Sequence, residues 1–128
     1  MATKRIEEHI HPDDMRALRA VLRKPIHIND SKGHQLKAAR RLLSQVYRRS
    51  PVFRIGGDEF VILLQRQDYD EREALLEEIK KQVLQNKKNG EVVIAVGMAE
   101  YEQGKSALDV FERADQEMYK NKKELKSE

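Results

Sequence analysis

Cysteine and tryptophan are absent from the 128 residues, aromatic side chains make up only 5%, and proline occurs three times. Without thiols there can be no disulfide and no thiolate metal centre, which fits a reducing compartment. With so few aromatic rings, the core must be assembled from Leu, Ile, Val and Ala. Long apolar runs are lacking as well. The longest strongly apolar stretch is Phe60-Val61-Ile62-Leu63-Leu64, far too short to cross a bilayer. Met1–Glu8 has no apolar signal-peptide core, so a cytoplasmic protein with no membrane contact is expected. Neither sign of charge dominates: 25 basic and 22 acidic residues leave a net +3. The signs are mixed in most segments, and no basic stripe is present that would point to nucleic acid.

What is present suits one domain with a modest core and a heavily solvated surface, at 39% apolar and 37% charged residues. Residues 1–10 are polar. His11-Pro12-Asp13-Asp14 then precedes Met15, Leu18, Val21 and Leu22 at helical spacing. This predicts a helix over residues 15–24 that Pro25 ends. Ile26–Gly33 reads as a polar loop with a turn signal at Ser31-Lys32-Gly33. A second helix is expected over about 35–48, with Leu36, Ala39, Leu43 and Val46 on one face. Val52–Ile55 and Phe60–Leu64 are short β-rich runs separated by Gly56-Gly57-Asp58-Glu59, the pattern of a β-hairpin. A third helix is expected over about 71–86, a buried strand over 92–97, and a last helix opened by Ser106 as N-cap. That helix would carry Leu108, Phe111, Ala114, Met118 and Leu125 on one face. The order of elements is that of an α/β (α+β) domain with a mixed sheet.

The hairpin turn holds the chemistry. Two glycines let a backbone approach a ligand closely, and their amides can contact phosphate. Two adjacent carboxylates at a turn need solvent or a counter-charge, which a divalent cation carrying a triphosphate would supply. On these residues alone, a plain solvent-exposed turn is a slightly better account, and the flanking sequence reverses that balance. Phe53-Arg54-Ile55-Gly56-Gly57-Asp58-Glu59-Phe60-Val61-Ile62-Leu63-Leu64 resembles the signature hairpin of diguanylate cyclases, the GGDEF family. Ile28-Asn29-Asp30-Ser31-Lys32-Gly33-His34, Val96-Gly97-Met98-Ala99 and Ala114-Asp115-Gln116-Glu117-Met118-Tyr119-Lys120-Asn121-Lys122 resemble three further motifs of that family, in the family's order.

The resemblance implies a GGDEF-like mixed sheet with its hairpin flanked by helices. It also implies condensation of two GTP molecules into cyclic di-GMP with Mg2+ or Mn2+. Each subunit would hold one nucleotide, so a second GGDEF subunit is the implied partner. By position, Asp58 would be a metal ligand and, with Glu59, a catalytic acid of the hairpin. Gly56 and Gly57 would lie against the nucleotide and Asn29 would contact guanine. Lys122 and Lys126 would contact phosphate; against the plainer reading of a solvated, dipole-favoured helix end, the resemblance prevails for Lys122 and stands level for Lys126.

Departures from the family pattern are specific. Counted back from Asn29, the strand-borne metal aspartate of the family falls on Val21, and the second acid of that segment on Arg23. The family's second guanine contact falls on Ala38, and its product-inhibition motif falls on Tyr47 and Ser50. The family's lead-in is replaced by residues 1–25, read as a helical segment resembling the tail of a PAS sensor domain. The resemblance implies that residues 26–128 form the GGDEF domain. The first central strand is thus expected to be missing or altered. If residues 15–24 are helical, the sheet must close around the gap, pair with another chain, or recruit 20–28 as a strand. A strand ending beside Asp58 would bring backbone carbonyls to the metal site and restore the case for catalysis. The implied function is a nucleotide-signalling domain with impaired or lost cyclase activity; the alternative is a non-catalytic GTP-binding or regulatory, protein-interaction module. His9, His11, His27 and His34 match no zinc spacing and read as loop residues.

Overall fold

The computed structural model describes residues 16–22 and 32–127. Among the described residues eight elements follow one another: β1 (Arg16–Leu22), α1 (Lys32–Val46), β2 (Val52–Arg54), β3 (Glu59–Leu63), α2 (Arg66–Asp70), α3 (Arg72–Asn89), β4 (Ile94–Glu100) and α4 (Ala107–Ser127). The four strands form one sheet in the order β2-β3-β1-β4, and every neighbouring pair is antiparallel.

The helix expected over residues 15–24 is corrected by this sheet, because Arg16–Leu22 is its inner strand. The expected central strand is therefore present and altered in sequence. The physical reason lies in its surroundings. Ala17, Leu18, Ala20 and Leu22 are all buried, on both faces of the sheet, so the segment carries no clean alternation of apolar and polar residues. Hydrogen-bonded partners on two edges then outweigh a weak helical period.

One face of the sheet carries Leu18, Ala20, Leu22, Phe60, Ile62, Ile94 and Val96. It packs with Ala39, Leu43 and Val46 of α1, the adjoining Tyr47, and Ile79 and Val83 of α3. The other face presents Ala17, Val61, Leu63 and Ala99 to Ala107, Val110, Phe111 and Ala114 of α4. The apolar stripes read for the middle helices therefore point inward. In α4 one position differs: Leu108 is exposed while Val110 is buried, because Ala107, Val110, Phe111, Ala114 and Met118 form one continuous helical stripe and Leu108 lies off it.

Several boundaries shift by a few residues. The second helix starts at Lys32, within the expected turn, and a short helix α2 occupies the polar lead-in to α3. Helix α3 runs to Asn89, where Gly90 takes φ of 72° and closes the end, with Glu91 N–H donating to Asn86 O at 2.8 Å. Ser106 caps α4 as expected, its Oγ accepting from Asp109 N–H at 3.2 Å. Buried Asp68 accepts from Arg49 N–H at 2.8 Å and from Ser50 Oγ at 2.7 Å, tying the turn after α1 to α2.

Helix α4 lies backbone to backbone against β4. A Cβ built on Gly97 would stand 2.1 Å from Met118 N and 2.3 Å from Ala114 O, distances no side-chain motion can relieve. Further along, the side-chain oxygen of Asn121 accepts from Val96 N–H at 2.9 Å on the open edge of the sheet. Gly97→Ala is expected to cost about 3 kcal/mol through forced displacement of α4. Urea unfolding checks it: the midpoint should fall with an unchanged slope, and an unchanged midpoint would refute the packing account. Asn121→Leu should cost about 1–3 kcal/mol by orphaning a buried amide, read from the same titration.

Candidate functional site

The turn between β2 and β3 is shaped by its own flanks. Val52↔Ile62, Phe53↔Val61 and Arg54↔Phe60 set the register, and Ile55 N–H donates to Glu59 O at 3.0 Å to close the turn. Arg54 reaches forward, its Nε donating to the carbonyls of both Gly56 and Gly57 at 3.2 Å. Neither glycine takes a positive φ, and a Cβ added to either would meet nothing within 4 Å. The chain itself does not demand glycine at these two positions. What glycine provides here is bare, exposed backbone over open space, the surface a phosphate or nucleotide can approach.

The end of β1 meets this turn. Leu22 N–H donates to Asp58 O at 3.1 Å, and Val21 stands opposite Glu59 in the ladder. Asp58 and Glu59 are both half-buried. The strand therefore ends beside Asp58, and the residues it brings there are Val21 and Leu22. No carboxylate from β1 joins the two acids of the turn.

Glu59 is instead met by a cation of the protein. Arg19, two residues before Val21 and on the same face of the strand, donates from Nη2 to Glu59 Oε2 at 2.5 Å. Its Nε lies 3.7 Å from Asp115 Oδ1 of α4. The Arg19 side chain is only 16% exposed. No local pattern marks Arg19 in the sequence, since its partners are 40 and 96 positions away. The available signal was an arginine inside a run of Ala, Leu and Val, which in a strand covered on both faces must find a counter-charge.

The remaining expected site residues are distributed as follows. Asn29 lies outside the described residues. Helix α4 passes Gly97 at Ala114–Met118 and Val96 at Asn121, so it runs antiparallel to β4, toward the end of the sheet that holds the turn. Lys122 is on that approaching half, half-buried, with Nζ 5.9 Å from the Tyr119 ring centroid. Lys126 is exposed one turn further. Neither lysine makes a hydrogen bond or ion pair with the hairpin. Tyr47 and Ser50, at the positions of the family's product-inhibition motif, are committed to the fold. Tyr47 is 1% exposed, and burial, reinforced by the charges of Asp68 and Glu78, pushes its phenol well above the usual tyrosine range. The Ser50 hydroxyl is held by Asp68.

The described residues do not fit a centre for two divalent cations. Mg2+ and Mn2+ need several oxygen ligands beyond substrate phosphate. Among the described residues Asp58 is bonded only to the backbone of Leu22, Glu59 faces Val21 and is engaged by Arg19, and no group of three His, Cys, Asp or Glu side chains could hold a metal ion. No helix among the described residues is long and apolar enough to cross a membrane.

Comparison with known proteins gives the same outline. The family model described as diguanylate cyclase, GGDEF domain, matches residues 22–128, beginning at the last residue of β1. Diguanylate cyclase DgcM of Escherichia coli (strain K12) is 36% identical over 104 residues, which cover 75% of this chain and 25% of that protein. The chain thus spans about a quarter of the length of the curated relatives it matches. Among solved structures, the active GGEEF domain of a diguanylate cyclase from Vibrio cholerae superposes with a TM-score of 0.64 at 21% identity, covering 83% of this chain and 74% of that one. A microbial GGDEF domain solved for its interaction with cyclic di-GMP gives a TM-score of 0.55 at 26% identity over 94% of this chain and 82% of that one. Fold, signature hairpin and family match agree: the chain belongs to the GGDEF domain family of diguanylate cyclases.

Proposed function

We propose that this domain binds GTP at its signature hairpin and is impaired in converting it to cyclic di-GMP. The observation that carries this reading is the meeting of β1 with the turn, where Leu22 is bonded to Asp58 and Val21 stands opposite Glu59. Diguanylate cyclases of this family generally use divalent metal ions. The exposed glycine backbone over open space supports nucleotide approach. A strand ending beside Asp58 supports a contribution from backbone groups, but the missing carboxylate leaves bound cations poorly neutralised. Two nucleotides must meet for the reaction, so a second copy of the domain is the partner that turnover requires. Guanine recognition would rest on Asn29, with Ala38 unable to hydrogen-bond the base. Lys122 and Lys126 are the phosphate contacts we assign, with Mg2+ or Mn2+ as the accompanying cation. A non-catalytic regulatory role is the second reading, favoured by the Arg19–Glu59 pair, which already engages one signature acid.

Two measurements test this. Incubated with GTP and Mg2+ or Mn2+, the protein should form cyclic di-GMP at least about 100-fold more slowly than diguanylate cyclase DgcM under the same conditions, the order expected when one group that stabilises developing charge is lost. Equal rates would overturn the impairment. Calorimetry with a non-hydrolysable GTP analogue should show binding that Asn29→Ala weakens about tenfold, the value of one hydrogen bond to the base. Absence of heat, with no NMR shift at Gly57 or Asp58, would leave only the interaction role.

A further inference from the structure

Arg19 is a guanidinium on the inner strand of the sheet, on the face that α4 covers. Opposite it in the two ladders are Val61 and Gly97, and neither offers it a hydrogen-bonding side chain. Placing a charge there is unfavourable unless other charges answer it. Two do, from different elements: Glu59 at the foot of the hairpin and Asp115 on α4. Both carboxylates are about one-third exposed, with side-chain exposures of 32% each, while Arg19 is 16% exposed. Its buried Nε has no hydrogen-bond partner, the nearest carboxylate oxygen being Asp115 Oδ1 at 3.7 Å. A guanidinium stays charged at every working pH, and its planar fork can face two carboxylates at once.

We propose that Arg19 is a resident cation of the hairpin. It neutralises Glu59 and Asp115 from inside the sheet, and its charge keeps a divalent cation off this pair. Three consequences follow from the geometry. A metal ion approaching Glu59 meets a fixed positive charge already bonded to that carboxylate. The order of the hairpin is coupled to the docking of α4, because one side chain holds both. The fold at this site is complete without added metal. The inference concerns the ion-free protein and stands whether or not the domain binds or turns over GTP.

Arg19→Met tests it, since methionine keeps an unbranched apolar stem and removes the charge. In EDTA the variant should melt several degrees below the unsubstituted protein, as loss of about 1–2 kcal/mol shifts a domain of this size. Millimolar Mn2+ should restore part of that loss, because Glu59 and Asp115 are then unanswered. Mn2+ should leave the melting temperature of the unsubstituted protein within about 1 °C of its EDTA value. In Arg19→Met, adding Glu59→Gln and Asp115→Asn should abolish the Mn2+ response. Equal Mn2+ stabilisation of the unsubstituted protein and Arg19→Met, or no Mn2+ response in the folded variant, would overturn the proposal. A readout that needs no variant is paramagnetic broadening of backbone amides by Mn2+. Amides of Glu59 and Asp115 should keep their intensity in the unsubstituted protein, and selective broadening at those two would also overturn it.

Discussion

β1 is paired along both of its edges, with β3 on one side and β4 on the other, and covered on both faces. Its two neighbouring strands and the helices on both faces are arranged around these seven residues. The face with Leu18, Ala20 and Leu22 seats α1 and α3. The face with Ala17 seats the first half of α4. The C-terminal end of the strand fixes the hairpin turn through the bond from Leu22 N–H to Asp58 O. An inner strand of this kind is costly to perturb, because every change reaches a neighbour on some side. The side chains it sends toward the turn therefore decide what the turn can do.

Those side chains set this domain apart from the pattern its family match leads one to expect. Val21, opposite Glu59, is apolar, and Arg19, two residues earlier on the same face, is cationic. The family acid Glu59 is present, but its charge is answered within the sheet and by way of Arg19 is linked to α4. Gly97 makes the linkage possible by letting the α4 backbone rest on β4. The signature hairpin thus presents an open glycine backbone above a carboxylate already paired with Arg19.

Much of this was legible in the sequence, and the exceptions have physical causes. The two glycines and two acids between β-rich runs gave the hairpin, because turn chemistry is local. Helices α1, α3 and α4 declared themselves by apolar spacing and, for α4, by the Ser106 cap, whereas the short polar α2 carries no such stripe. β1 was misread as helical because a strand buried on both faces loses its period of two, and Met15, Leu18, Val21 and Leu22 then match a helical template by chance. The Arg19 pairs with Glu59 and Asp115 join residues far apart in the chain, and no local pattern announces them. Leu108 was assigned to the buried face of α4 because it stands three residues before Phe111, whereas the buried stripe runs Ala107, Val110, Phe111, Ala114 and Met118 and leaves Leu108 off its edge.

What the hairpin can bind depends on which cation answers Glu59. Anomalous diffraction at the manganese edge, from crystals grown with a non-hydrolysable GTP analogue and Mn2+, reports this directly. The expected result is the Arg19–Glu59 pair intact, with no manganese peak bonded to Glu59 or Asp115. A manganese ion coordinated by Glu59, with Arg19 turned away from it, would contradict the account.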